Sequence, residues 1–202
     1  MQRLAIATML VCLTLASSHA GESSPQEIIR EAVDLLTTGL DERREELKRD
    51  RDALYEFIDG ILLPRFARKF AATAVLTKHW RTASDEQKRR FIDAFYTTLV
   101  RRYADGILEF DMDRIVIRPY KGDPTKRTTV VKTSVQLDNG TKIPVFYMLV
   151  NTREGWRMFD VKIEGVSYIV NYRKELHAEI RRTGLDQVIE RLEIAAGLTS
   201  DE

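Results

Sequence analysis

Cysteine is nearly absent from this 202-residue chain: there is one, Cys12, inside the apolar N-terminal stretch. A disulfide framework is therefore excluded, and stability must come from a packed core. Histidine is also scarce. Two of the three histidines, His79 and His177, lie outside the N-terminal stretch, each without a second histidine or a cysteine at ligand spacing, so the pattern offers no zinc site. No glycine-rich phosphate loop and no Gly-x-Ser-x-Gly elbow occurs. A surplus of one charge is missing too, with 32 basic against 31 acidic side chains, which gives no electrostatic footprint for nucleic acid. After the N-terminus no apolar run approaches the length of about 20 residues that spans a bilayer.

What is present begins with "MQRLAIATMLVCLTLASSHA". A basic Arg3, an apolar run from Leu4 to Leu15, and small residues at Ser18 and Ala20 predict an export signal over residues 1–20, cleaved after Ala20. Cys12 follows Val11 rather than a small residue, which argues against lipid attachment. An exported chain without disulfides points to the bacterial periplasm, and residues 21–202 have the length of one domain.

Residues 25–108 read as helical. Ile28, Ile29, Ala32, Val33, Leu35, Leu36 and Leu40 form an apolar stripe after Pro25, and the charge run Asp41–Asp52 reads as a solvated face or connector. A second helix carries Leu54, Phe57, Ile58, Ile61 and Leu62 up to Pro64, and a third passes through Phe66, Phe70 and Val75. Ser84-Asp-Glu-Gln87 is a capping box opening what reads as the longest helix, about Asp85 to Leu108. Phe91, Phe95, Leu99, Tyr103 and Ile107 recur along it at steps of four.

From Asp113 the period changes to two. Four strands are expected, at Arg114–Pro119, Arg127–Leu137, Lys142–Asn151 and Trp156–Ile163, joined by short turns as an antiparallel meander. A two-residue "NG" turn would mix Val131 with the lysines, whereas a "DNG" turn with Gly140 left-handed sorts the faces cleanly. The second register places Val131, Thr133, Val135 and Leu137 with Ile143, Val145, Tyr147, Leu149, Phe159, Val161 and Ile163 on one face. Lys132, Ser134, Gln136, Lys142, Phe146, Met148, Val150, Trp156 and Met158 fall on the other. Ser167 is the expected N-cap of a following helix and Gly184 its stop. The fold class is thus α+β, a four-stranded antiparallel sheet packed with about six to seven helices.

Asp160 interrupts an apolar strand and is the one candidate general base, against the plainer reading that it bonds a nearby arginine or backbone N–H. The apolar face and the helical stripe would line either solid core or a cavity suited to an acyl chain. Tyr103 and Tyr147 carry hydroxyls on otherwise apolar rings. Periodicity does not choose between the two.

Four segments carry a resemblance: "LYEFIDGILLPRFARKFAA" from Leu54, "ASDEQKRRFIDAFYTTLVRRYADGIL" from Ala83, "GWRMFDVKIEGVSYIVNYR" from Gly155 and "GLDQVIERL" from Gly184. In order and spacing the chain resembles the MlaC family of periplasmic phospholipid shuttles, also called toluene-tolerance auxiliary components. The resemblance implies a twisted sheet in a cystatin-like, cone-shaped fold with an internal apolar pocket, a bound phospholipid as cargo with no other cofactor or metal, and no enzymatic activity. It implies exchange of lipid between an outer-membrane lipoprotein complex and an inner-membrane ABC transporter with its substrate-binding domain, with the chain acting as a monomer. Joined to the pattern, it makes Phe95, Leu99, Tyr103, Ile107, Val131, Val135, Val145, Tyr147, Leu149, Phe159 and Val161 the expected lipid contacts, and gives Asp160 and Glu164 structural roles at the strand-to-helix turn. Hopanoid carriers share the fold type, and an enzyme using a pocket carboxylate or a filled interaction module remain alternatives.

Overall fold

The computed structural model describes residues 23–123 and 125–199. The expected export signal at residues 1–20 lies outside them. Among the described residues, seven α-helices and two single 3-10 turns pack with one antiparallel sheet.

The first helix, α1 (Pro25–Arg49), starts at Ser24, whose hydroxyl accepts from the Glu27 N–H at 3.3 Å while the Glu27 carboxylate accepts from the Ser24 N–H. This Ser-x-x-Glu box satisfies two of the orphan donors at the helix start. α1 runs unbroken through most of the expected charge run, because Leu47 continues the buried stripe of Leu36 and Leu40. At 25 residues it equals the Asp85 helix, so the two share the greatest length among the described helices. Asp50 then caps α2 (Arg51–Leu62) by accepting from the Ala53 N–H at 3.0 Å. The two helices approach closely at Gly39, where any Cβ would run into the Phe57 ring.

Pro64 sits in a 3-10 turn, after which come α3 (Arg68–Leu76) and the short α4 (Lys78–Thr82). The capping box at Ser84 opens α5 (Asp85–Glu109), with the Gln87 N–H donating to Ser84 at 3.1 Å and Gln87 Oε1 accepting from the Ser84 N–H at 2.9 Å.

The sheet has five strands in chain order: β1 (Ile115–Ile117), β2 (Thr128–Gln136), β3 (Lys142–Thr152), β4 (Gly155–Ile163) and β5 (Val166–Ser167). The four expected strands are there, the first shortened to three residues. The fifth is additional to the expected four, and its two residues are too few to hold a periodicity. Gly140 has φ +81°, and Val131 pairs with Tyr147, Thr133 with Val145 and Val135 with Ile143, which is the bulged "DNG" register.

The next hairpin departs from expectation. Its register shifts between Met148 and Leu149, so Leu149 faces Met158 while Tyr147 faces Val161. A bulge places one extra residue on β4 and breaks strict alternation. Trp156 and Met158 consequently join Val131 and Leu149 in the core instead of lying on the outer face.

After β5, Ser167 caps α6 (Tyr168–Thr183) by accepting from the Val170 N–H at 3.0 Å, and Gly184 at φ +91° separates it from α7 (Leu185–Ala195). Three buried clusters result. Ile28 and Ile29 of α1 sit on the sheet against Val131, Leu149, Trp156 and Met158. The rest of α1 packs with α2 and the distal half of α5. α3, the start of α5, α6 and α7 enclose Phe91, Phe95, Tyr172 and Leu176.

Candidate functional site: an apolar cavity

Where the three clusters meet they leave a cavity of about 400 Å³. This lies in the range of about 300–1,000 Å³ usual for small-molecule pockets. α1 contributes Ile29, Ala32, Val33 and Leu36, α5 contributes the stripe from Phe95 to Ile107, the sheet contributes Val135, Val145, Tyr147 and Met158 to Val161, and α6 contributes Tyr168, Ile169 and Tyr172.

Nine of the eleven expected contacts border it: Phe95, Leu99, Tyr103, Ile107, Val135, Val145, Tyr147, Phe159 and Val161. Two do not. Val131 and Leu149 are each 0% exposed and packed under Ile28, Ile29 and Trp156, so they are solid core. Their face is right, but the first turn of α1 closes that end of the sheet. Several lining residues escaped the sequence reading. Tyr168 and Tyr172 stand four apart on α6, a spacing that places them on one helical face. Met158 and Phe159 both reach the cavity because the bulge breaks alternation between them.

Nearly every lining atom is hydrocarbon. No lysine, arginine or histidine is among the described lining residues, and Asp160 is the single acid. Asp160 is 8% exposed, and both its oxygens are engaged. Oδ2 accepts from the Ser167 hydroxyl at 2.6 Å, and Oδ1 accepts from the Ile169 N–H at 3.0 Å. These bonds anchor the N-terminus of α6 to β4, the plainer of its two roles. Glu164, at φ +49° in the turn just before, lets the chain reverse from β4 into β5.

The remaining polarity is phenolic. Burial pushes the Tyr147 hydroxyl up to about 12, and burial also raises Tyr103 and Tyr96, the latter helped by the Asp59 carboxylate beside it. All three therefore stay protonated at neutral pH. The hydroxyls of Tyr96 and Tyr172 are buried without a hydrogen-bond partner. A second concavity, about 720 Å³, lies along the Arg118–Lys132 loop and strand, where Arg118, Lys121, Lys126 and Lys132 stand beside Tyr120 and Val130.

A family model described as MlaC protein matches residues 30–194. The chain belongs to the MlaC family. Among curated relatives of this MlaC-family chain, toluene tolerance protein ttg2D of Pseudomonas putida is 28% identical over 164 residues, covering 81% of this chain and 76% of that protein. The intermembrane phospholipid transport system binding protein MlaC of Haemophilus influenzae is 21% identical over 193 residues, covering 93% and 89%. A phospholipid-binding protein from Ralstonia solanacearum, solved in complex with a phospholipid, superposes with a TM-score of 0.76 over 87% of this chain and 98% of that one, at 19% identity. That likeness establishes the shared fold.

Proposed function

We propose that this MlaC-family chain is a carrier of phospholipid, exported to the periplasm on cleavage of residues 1–20, leaving a single lipid-binding domain from residue 21 to 202. It shuttles lipid between outer-membrane and inner-membrane complexes of the transport pathway named for its relatives. The observation that carries this reading is the cavity itself: a hydrocarbon-lined space reached by both the α5 stripe and the inner face of the sheet. Transfer of an acyl chain from water into such a space is worth about 0.8 kcal/mol per methylene. An isolated lipid is insoluble without that cover, and a pocket in a carrier supplies it. The nine bordering residues from Phe95 to Val161 are the proposed acyl-chain contacts. The names of the Haemophilus and Ralstonia proteins, a transport-system binding protein and a phospholipid-binding protein, support the same assignment.

The carrier acts as a monomer by capture and release, with no covalent step and no cofactor beyond its cargo. Asp160, the one acid at the cavity, is occupied in holding α6. None of the described helices is long and apolar enough to cross a membrane, so lipid must be handed over by docking at each surface.

Native mass spectrometry and lipid extraction of the protein purified from its own host test the proposal. Co-purifying phospholipid, and uptake from phospholipid vesicles after delipidation, is the expected result. Protein that is repeatedly lipid-free and takes up nothing from vesicles overturns it, and a co-purifying hopanoid redirects it to another cargo.

A further inference from the structure

Part of the cavity's unmet polarity lies at one corner, between α5 and the start of α6. Tyr103 and Tyr168 meet there edge to face with ring centroids 5.0 Å apart, and Tyr172 stands beside them. Tyr172 is 5% exposed, and its hydroxyl is buried beside the Tyr103 hydroxyl and the Arg102 guanidinium without a hydrogen bond of ordinary geometry to either. A buried phenol ordinarily finds one. Just outside the lining stands Arg102, exposed, its guanidinium carbon 5.8 Å from the centre of the Tyr172 ring. Among the described residues no carboxylate forms an ion pair with Arg102. The groups that act on it most strongly are the phenols of Tyr172 and Tyr103, with Glu175 acting least.

A bound hydrocarbon would leave both groups as they are. A tetrahedral oxyanion at the corner would answer both, because it offers acceptors to the inward phenol and charge to the outward guanidinium. Such charge-assisted bonds are stronger than neutral ones, and the arginine fork suits phosphate geometry. We propose that this corner holds the phosphate of the bound glycerophospholipid, with Arg102 facing the anion from the solvent side and the Tyr172 hydroxyl donating to it from within.

This rests on the carrier reading and adds a place and a polarity to it: phosphate at the α5–α6 edge, acyl chains inward toward Leu99, Val145 and Tyr147. The other unpartnered phenol, Tyr96, does not compete. Asp59 lies beside it with an unpartnered oxygen of its own, and that carboxylate would repel an anion.

The test uses the full chain stripped of lipid and vesicles of phosphatidylglycerol doped with diacylglycerol of the same acyl chains. Protein-bound lipid is extracted and the two species are counted. The wild type is expected to enrich phosphatidylglycerol over diacylglycerol about tenfold relative to the vesicle, the usual worth of one charged hydrogen bond. Arg102→Gln, outside the lining, is expected to remove most of that enrichment while total lipid per protein stays constant, and Tyr172→Phe is expected to remove most of it whatever its total loading. Tyr172→Phe also deletes an unsatisfied buried hydroxyl, so its lipid-free melting temperature should hold or rise. Loaded variants with the wild-type ratio overturn the phosphate corner and leave the carrier standing; wild-type protein that takes neither lipid overturns both. Millimolar inorganic phosphate, added alone to lipid-free protein, is expected to show no saturable binding by calorimetry. Saturable binding that vanishes in Arg102→Gln would make the corner a free-phosphate site and overturn the lipid assignment.

Discussion

Tyr147 and Leu149 sit two residues apart on the same face of β3, and only Tyr147 borders the cavity. Leu149 is fully buried under α1 and Trp156. One sheet face therefore changes from lining to solid core within two residues, at the point where the β3–β4 register shifts.

A tryptophan scan should read that boundary directly. Leu99→Trp and Val145→Trp place the added ring in open space, so phospholipid uptake should fall severalfold with the fold retained. Leu149→Trp has no space to enter and should destabilise by about 1–3 kcal/mol through overpacking. Leu149→Ala should cost about 2–5 kcal/mol as a core cavity. Vesicle uptake and urea denaturation of each variant measure the two effects separately. Lost uptake with full stability in Leu149→Trp would mean the boundary is misplaced.

Much of this was legible from short-range chemistry. The Gly140 turn sets the β2–β3 register because a slip would expose Val131, Val135 and Val145 together, and the step-of-four stripe from Phe95 to Ile107 follows from helical geometry. The Ser24–Glu27 box carries the same local signature as the one at Ser84. The β4 bulge was not legible, since neither Met158 nor Phe159 differs in kind from its neighbours, and the shift depends on how β4 meets β3 and the turn at Phe66, which bridges to Met158. Whether the apolar residues enclose space is decided by the angles between α1, α5 and the sheet. Periodicity carries no information on those angles.

Asp160 should behave as a structural residue. Asp160→Ala removes the acceptor of both the Ser167 hydroxyl and the Ile169 N–H, and leaves the latter buried. An unsatisfied buried donor costs about 1–3 kcal/mol, so unfolding by urea should shift by that amount. Because α6 carries Tyr168 and Tyr172, lipid retention should weaken as well. Asp160→Asn keeps an acceptor for one donor and should recover part of the stability. Full stability in the alanine variant would remove the anchoring role.

The histidine pair makes acid sensitivity local. His79 Nε2 and His177 Nδ1 lie 3.0 Å apart, so one imidazole donates and the other accepts. Burial holds His79 below the ordinary histidine value, and the His177 and Lys78 charges lower it further. A base depressed in the folded state binds fewer protons there than in the unfolded chain. Its contribution to stability is therefore present above about pH 6.5 and lost as pH falls through the folded value. His177→Gln removes one repelling charge while keeping a polar partner. The His79 ring titration followed by NMR should move upward, and the loss of stability between about pH 7 and 5 should shrink. An unmoved titration would show that burial and the Lys78 charge set it without His177.

A second acid-sensitive joint fastens α7 to α5. Arg90 donates to both oxygens of Glu193, at 2.8 and 2.6 Å, and Glu193 is mostly buried. The Arg90 hydrogen bonds hold the Glu193 carboxyl below the usual carboxylate range, against the opposing effect of its burial. The sign is that of a depressed acid: the stabilisation is complete above the unfolded value near 4.5 and disappears as pH falls through the folded one. Glu193→Gln keeps the shape and one acceptor but loses the charge. With Arg90 partly in solvent, the cost at neutral pH belongs at the lower end for a charged hydrogen bond, about 1–2 kcal/mol. As pH drops from about 5 to 3 the wild type should lose that margin and the two stability curves should converge. Parallel curves across that window would show that the pair contributes no proton-linked stability, and that α7 is held to α5 by the packing of Val188, Ile189 and Leu192 and by the Gln87–Asp186 and Thr98–Leu192 hydrogen bonds.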